Sequence, residues 1–118
     1  MFISCEKEEI LPLADIPFEI TNYTSAHFPD NHIIQAIKDT DGLELTYDVT
    51  LKGGFFLEFN RKNEIIDIEG LSKLPDSVIP AKLLEFLSSS YPDSHIIGWE
   101  LGDRNQQLKL DNGLELEF

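Results

Sequence analysis

Three histidines, one cysteine and twenty-two carboxylates are the side chains through which this chain could do chemistry. His27, His32 and His95 are the imidazoles a transition metal would need, but His32 and His95 hold equivalent places in two copies of one motif. Duplication, not a shared coordination geometry, sets their spacing, and the paired Cys/His intervals of zinc sites are absent. The sequence therefore predicts no metal centre and no cofactor. Asp39-Thr40-Asp41-Gly42 begins like a calcium loop, yet it lacks the further ligands and closing glutamate of an EF-hand, and Asp and Gly form tight turns unaided. Nucleophilic catalysis has no better footing: Gly-x-Ser-x-Gly does not occur, and Cys5 lies ahead of the fold, where no base would orient it. So many carboxylates make some close pair inevitable, so their abundance does not diagnose an acid–base site. The chain reads as non-enzymatic.

The elements that would position these residues are announced by an internal repeat. Leu11-Pro12, Ile16-Pro17, Ser25 and Phe28-Pro29-Asp30-Asn31-His32-Ile33-Ile34 recur as Leu74-Pro75, Ile79-Pro80, Ser88 and Tyr91-Pro92-Asp93-Ser94-His95-Ile96-Ile97. Two copies of one supersecondary unit explain this. In each copy the proline after isoleucine suits the start of a helix, where its missing N–H is not needed, and Asp15 is the expected N-cap of the first. Ile16, Ile20 and Tyr23 form an apolar stripe at helical spacing, as do Ile79, Leu83, Phe86 and Leu87. The aromatic-Pro-Asp turn stops each helix, and an apolar strand follows from Ile33 and from Ile96.

Strand periodicity is clearest after that. Leu43, Leu45, Tyr47, Val49 and Leu51 alternate with Glu44, Thr46, Asp48 and Thr50, which predicts one buried and one wet face. Gly53-Gly54 turns the chain into Phe55–Phe59, and Asn60 to Asn63 turns it into Ile65–Ile68. The second copy offers Leu108–Leu110, an Asp111-Asn112-Gly113 turn and Leu114–Phe118. No counterpart of Ile65–Ile68 follows Leu114–Phe118, so either one sheet edge is bare or the chain runs on beyond this sequence.

A Leu-Pro, a helix, an aromatic-Pro-Asp turn, an alternating strand and a hairpin ending in Leu-Glu-Phe resemble the PepSY-like, β-lactamase-inhibitor-like family over Leu11 to Phe118. That resemblance implies an α+β fold of two tandem helix-plus-antiparallel-meander repeats, with the helices packed on one face of an antiparallel sheet and the opposite face open. It also implies a secreted or lipid-anchored envelope protein. The expected organisation is a flexible N-terminal tether over residues 1–10 and a single domain over 11–118, made of repeats 11–70 and 74–118. Phe2-Ile3-Ser4-Cys5 resembles the lipobox of bacterial lipoproteins, and Lys7-Glu8-Glu9 a surface-export tag, making Cys5 the lipidation candidate. Four residues before Cys5 are fewer than a signal peptide occupies, so either the sequence is shortened ahead of Cys5 or the match is accidental and Cys5 is a free thiol on a frayed terminus.

At 118 residues with 42% hydrophobic side chains, the chain can bury a core without metals or disulfides. Its net charge of −13 repels polyphosphate, which excludes nucleic acid and electrostatic docking on anionic lipid. No segment approaches the apolar length of a membrane-spanning helix, so any membrane contact would run through Cys5. The open face is expected to carry Glu44, Thr46, Asp48, Thr50 and Glu58 with Lys109, Glu115 and Glu117 from the second copy. Phe56 falls on this polar side while Phe55, Leu57 and Phe59 fall on the core side, and an aromatic anchor in a polar field is how interfaces concentrate energy. Trp99 reads as core. The functional expectation is an envelope-associated binding or inhibitor-like module that offers an acidic sheet face to a protein or peptide partner. The alternative is a structural or sensory envelope protein that binds a cation or small ligand.

Overall fold

The computed structural model describes residues 6–118. Eight strands form one antiparallel sheet in strict chain order: β1 (Glu6–Ile10), β2 (Ile33–Asp41), β3 (Glu44–Leu51), β4 (Phe55–Phe59), β5 (Ile65–Gly70), β6 (Ile96–Leu101), β7 (Gln106–Leu110) and β8 (Glu115–Glu117). Helix α1 (Phe18–His27) lies between β1 and β2, and α2 (Ala81–Ser90) between β5 and β6. The predicted α+β architecture is therefore present.

Alternation decides which face the helices cover. Val49, Leu51, Phe55, Leu57, Phe59, Ile68, Trp99, Leu108 and Leu110 project from successive strands to one side and are buried. Ile20 of α1 and Leu83 and Leu87 of α2 join them in a single apolar cluster. The two copies close it in the same way. Tyr23 meets Phe59 edge-on with ring centroids 5.6 Å apart, and their repeat equivalents Phe86 and Phe118 do so at 5.3 Å. Trp99 is core, as expected, and its Nε1 donates to Gln106 Oε1 at 2.9 Å, which satisfies the indole N–H.

Several local expectations change. Asp15 does not cap α1: it sits in a 3-10 turn (Leu13–Asp15), and Pro17 takes the N-cap position with no side-chain hydrogen bond. The same 3-10 turn precedes α2, at Asp76–Val78. Leu43 is 93% exposed, because β2 runs on to Asp41 and leaves Gly42 and Leu43 as the hairpin connection. Gly42 takes a φ of +63° there, a conformation that costs glycine little.

Residues 6–10, expected to belong to a flexible tether, form an edge strand paired with β2 from Glu6↔Asp41 to Ile10↔Ile37. Backbone ladder bonds hold it although every residue in it is exposed. This strand also explains the expected shortfall of the second copy. β1 precedes α1 and pairs with β2, just as β5 precedes α2 and pairs with β6. The counterpart of Ile65–Ile68 is the strand before the first helix, not one after Phe118. Cys5 lies outside the described residues. Among those described, no helix is long and apolar enough to cross a membrane.

Phe59 is fully buried and covered by β5, whereas Phe118, just past the last strand of the sheet, is 38% exposed. Phe59→Ala is expected to cost about 3–5 kcal/mol in urea denaturation and Phe118→Ala less than half of that. Equal losses would show that both copies bury this ring alike.

The open face of the sheet as candidate functional site

Because β-strand side chains alternate, the face opposite the helices is fixed by the same register that buries the core. Cross-strand partners line up across it in two transverse rows. One row runs Ile10, Ile37, Asp48, Glu58, Asp67, Glu100, Gln107 and Glu117, one residue from each of the eight strands. The other runs Gln35, Thr50, Phe56, Glu69, Gly98, Lys109 and Glu115 from β2 to β8. Asp48, Glu58, Asp67 and Glu100 are four carboxylates on four adjacent strands, each directly opposite the next.

The structure places all of the predicted face residues on this side. Asp48 and Glu58 are direct partners, as are Thr50 and Phe56, and Lys109 and Glu115. Glu117 ends the first row, and Thr46 lies one step along β3 opposite Asp39. Glu44 lies at the start of β3, opposite Asp41. Phe56 is 45% exposed here, beside Thr50 and Glu69, so the alternation after Gly53-Gly54 continues without a slip.

Sequence reasoning missed the middle of the face. Asp67, Glu69 and Glu100 come from strands whose polar positions had been given no side, and Gln107 lies one step along β7 from Lys109. The alternation Asp67-Ile68-Glu69 and the step from Trp99 to Glu100 carried the signal. A bulge also went unread: register shifts between Ile33 and Gln35 and between Ile96 and Gly98. The His-Ile-Ile segment thus makes the same bulge in both copies and brings its second isoleucine out of the core ladder. Ile97 lines a shallow depression on the open face with Phe56, Leu71 and the stem of Lys109. Leu71 is seated there over Gly54, where a Cβ would stand 2.7 Å from its Cδ1.

Like charges this close perturb one another. Glu58 is pushed up to about 7, first by partial burial and then by the charges of Asp48 and Asp67, a hydrogen bond to Asp48, and Glu100. Asp67 is pushed up to about 6 by burial, then by Glu100, Glu69 and Asp48. Asp48 is raised by burial and by Asp39 and Glu8, although the hydrogen bond with Glu58 opposes the rise. Glu58 and Asp67 therefore hold protons at pH values where ordinary carboxylates have lost them.

A second acidic group lies at the β1 end. Carboxylate oxygens of Glu6, Glu8 and Asp39 lie within 4.8 Å of one another, and Asp39 Oδ1 is shielded from solvent without a hydrogen-bond partner. The charges of Asp39, Asp41 and Glu8 raise Glu6 above its ordinary value. Elsewhere, His27 Nδ1 and Ser77 Oγ are 2.8 Å apart, with the His27 ring against Tyr23 at 4.4 Å between centroids. This surface contact ties the end of α1 to the 3-10 turn of the second copy.

Comparison with known proteins bears on this geometry. The family model described as "putative β-lactamase-inhibitor-like, PepSY-like" matches twice, over residues 1–67 and 45–118. The chain belongs to the PepSY-like family. Two overlapping matches agree with the tandem repeats seen in the PepSY-like sheet. A Bacteroides vulgatus protein described as a "putative periplasmic protein from DUF2874 family" is similar over 95% of this chain and 89% of its own, at 27% identity and a TM-score of 0.89. A Bacteroides thetaiotaomicron protein described as a "putative calcium-regulated periplasmic protein" shares the fold at 24% identity, with coverages of 94% and 88% and a TM-score of 0.89. A further B. vulgatus protein, "putative periplasmic" and "of unknown function", matches at 24% identity, coverages of 95% and 91%, and a TM-score of 0.88. No curated protein sequence matches the chain.

The raised carboxylates give the PepSY-like face a pH signature. Below the ordinary carboxylate range, folded and unfolded chains are both protonated and the row costs nothing. As pH rises toward about 7, the unfolded chain ionises freely while Glu58 and Asp67 resist, so stability falls. The melting temperature is expected to drop between about pH 4 and about pH 7, and Glu58→Gln to flatten the drop by raising the value at the alkaline end. An identical profile in wild type and variant would show that the row does not govern it.

Proposed function

We propose that this PepSY-like chain is a non-enzymatic, envelope-associated binding module of the inhibitor-like kind, and that its open sheet face holds a protein or peptide partner. The row of Asp48, Glu58, Asp67 and Glu100 carries this reading. Folding places four carboxylates side by side, at a cost to stability as they ionise, on a face that no element of the described chain covers. A partner with basic side chains removes that cost on binding. Phe56 supplies an exposed aromatic within the same field. The periplasmic descriptions of the structural relatives support the envelope location, and neither those descriptions nor the family's point to catalysis. Capture of periplasmic proteins on the immobilised domain tests the reading. A protein retained by wild type and lost by Phe56→Ala, with the variant's melting temperature unchanged, is the expected result; equal retention would remove Phe56 from the face's function.

A second reading rests on the oxygen cluster of Glu6, Glu8 and Asp39 and on the relative described as calcium-regulated. Here a divalent cation bridges β1 to β2 and fastens the edge strand. Millimolar calcium is then expected to raise the melting temperature, and Asp39→Asn to abolish the rise. A flat titration in the wild type would end this reading.

A further inference from the structure

The spacing of the carboxylate row narrows the class of partner. Asp48, Glu58, Asp67 and Glu100 are successive cross-strand partners, so their backbones step across the sheet by about 4.8 Å per strand, about 14 Å from first to last. An extended peptide crossing the strands presents same-side residues every 6.8 Å or so and outruns the row by about 6 Å over three steps. A helix in the same direction presents residues i, i+3, i+7 and i+10 along one stripe, about 15 Å end to end, and keeps step with all four. A strand running parallel to β4 would instead meet Glu58 and then Phe56, one acid followed by an aromatic.

The neighbouring row supplies what the flank of such a helix needs. Phe56 is half-exposed, Leu71 is 80% exposed, and Ile97 is turned outward by its bulge; the three line one depression beside the acidic row. An apolar side chain one helical position away from the basic stripe would reach it. We infer that the open face is built to receive an amphipathic basic helix of a partner protein, lying across the strands with cations along Asp48, Glu58, Asp67 and Glu100 and an apolar residue on Phe56, Leu71 and Ile97. This rests on the proposed binding function of the face and specifies its partner.

Two synthetic peptides of identical composition test it against the whole domain by calorimetry at low salt. Both are alanine-based helices containing four lysines and two leucines. One has lysines at i, i+3, i+7 and i+10 with leucines on the adjoining flank; the other has the same lysines spread around the helix. The striped peptide is expected to bind about tenfold tighter or more, and to lose that advantage with Asp67→Asn/Glu100→Gln and with Phe56→Ala. Both variants remove a like-charge contact or a half-exposed ring, and a melting curve confirms that they fold. Equal affinity for the two peptides would overturn the helix inference and leave a general cation-attracting face. No binding by either would also overturn the helix inference, and retention of a periplasmic protein on the immobilised domain would then still uphold the binding function.

Discussion

Burial of one side of the meander beneath α1 and α2 is the constraint on which the rest of the molecule depends. Side chains alternate along every strand, so once Val49, Leu57, Ile68, Trp99 and Leu108 are held beneath the helices, the intervening residues are committed to the other side. Antiparallel pairing then puts them opposite one another at the separation of neighbouring strands. The acidic row is a consequence of this packing. Each of four strands carries one of its members, and the row exists only because three registers agree.

That arrangement runs against the stability of the isolated domain. Partial burial disfavours the charged form of these carboxylates, and repulsion between directly opposed neighbours adds to it, which is why Glu58 and Asp67 hold protons toward neutral pH. A basic side chain at any one of these positions would relieve the strain, as the facing Lys109 and Glu115 do in the next row. A sequence that is locally consistent elsewhere departs from consistency here, on the face without a covering element. Departures of this kind accompany functional surfaces, because the interaction that compensates them comes from outside the fold.

Duplication accounts for much of the architecture and for its asymmetries. Each copy supplies a leading strand, a 3-10 turn, a helix and a three-stranded meander, and the leading strand of the second copy closes onto the last strand of the first. Phe59 is sealed at that junction, whereas Phe118 stands at the end of the sheet. The same junction places Phe56, Leu71 and Ile97 together, so the apolar depression belongs to the seam between copies and has no equivalent inside either one.

The sequence by itself determined the repeat, the two helices, the alternating strands and the face of each residue from Glu44 to Phe59. These follow from local periodicity and from prolines and glycines that act within a few residues of themselves. It also carried the family resemblance, through short motifs that survive in both copies. The tertiary structure decided what depends on partners distant in the chain. It paired the charged segment Glu6–Ile10 as a strand, because an exposed edge needs only backbone hydrogen bonds and leaves no apolar pattern to read. It supplied Asp67, Glu69 and Glu100 to the face, since strands of three to six residues with irregular polarity take their side from the register of their neighbours. It turned Ile34 and Ile97 outward through bulges that their apolar character conceals. Identity and period are local properties, whereas a site assembled across eight strands is a property of register, and register is settled only when the whole sheet closes on its core.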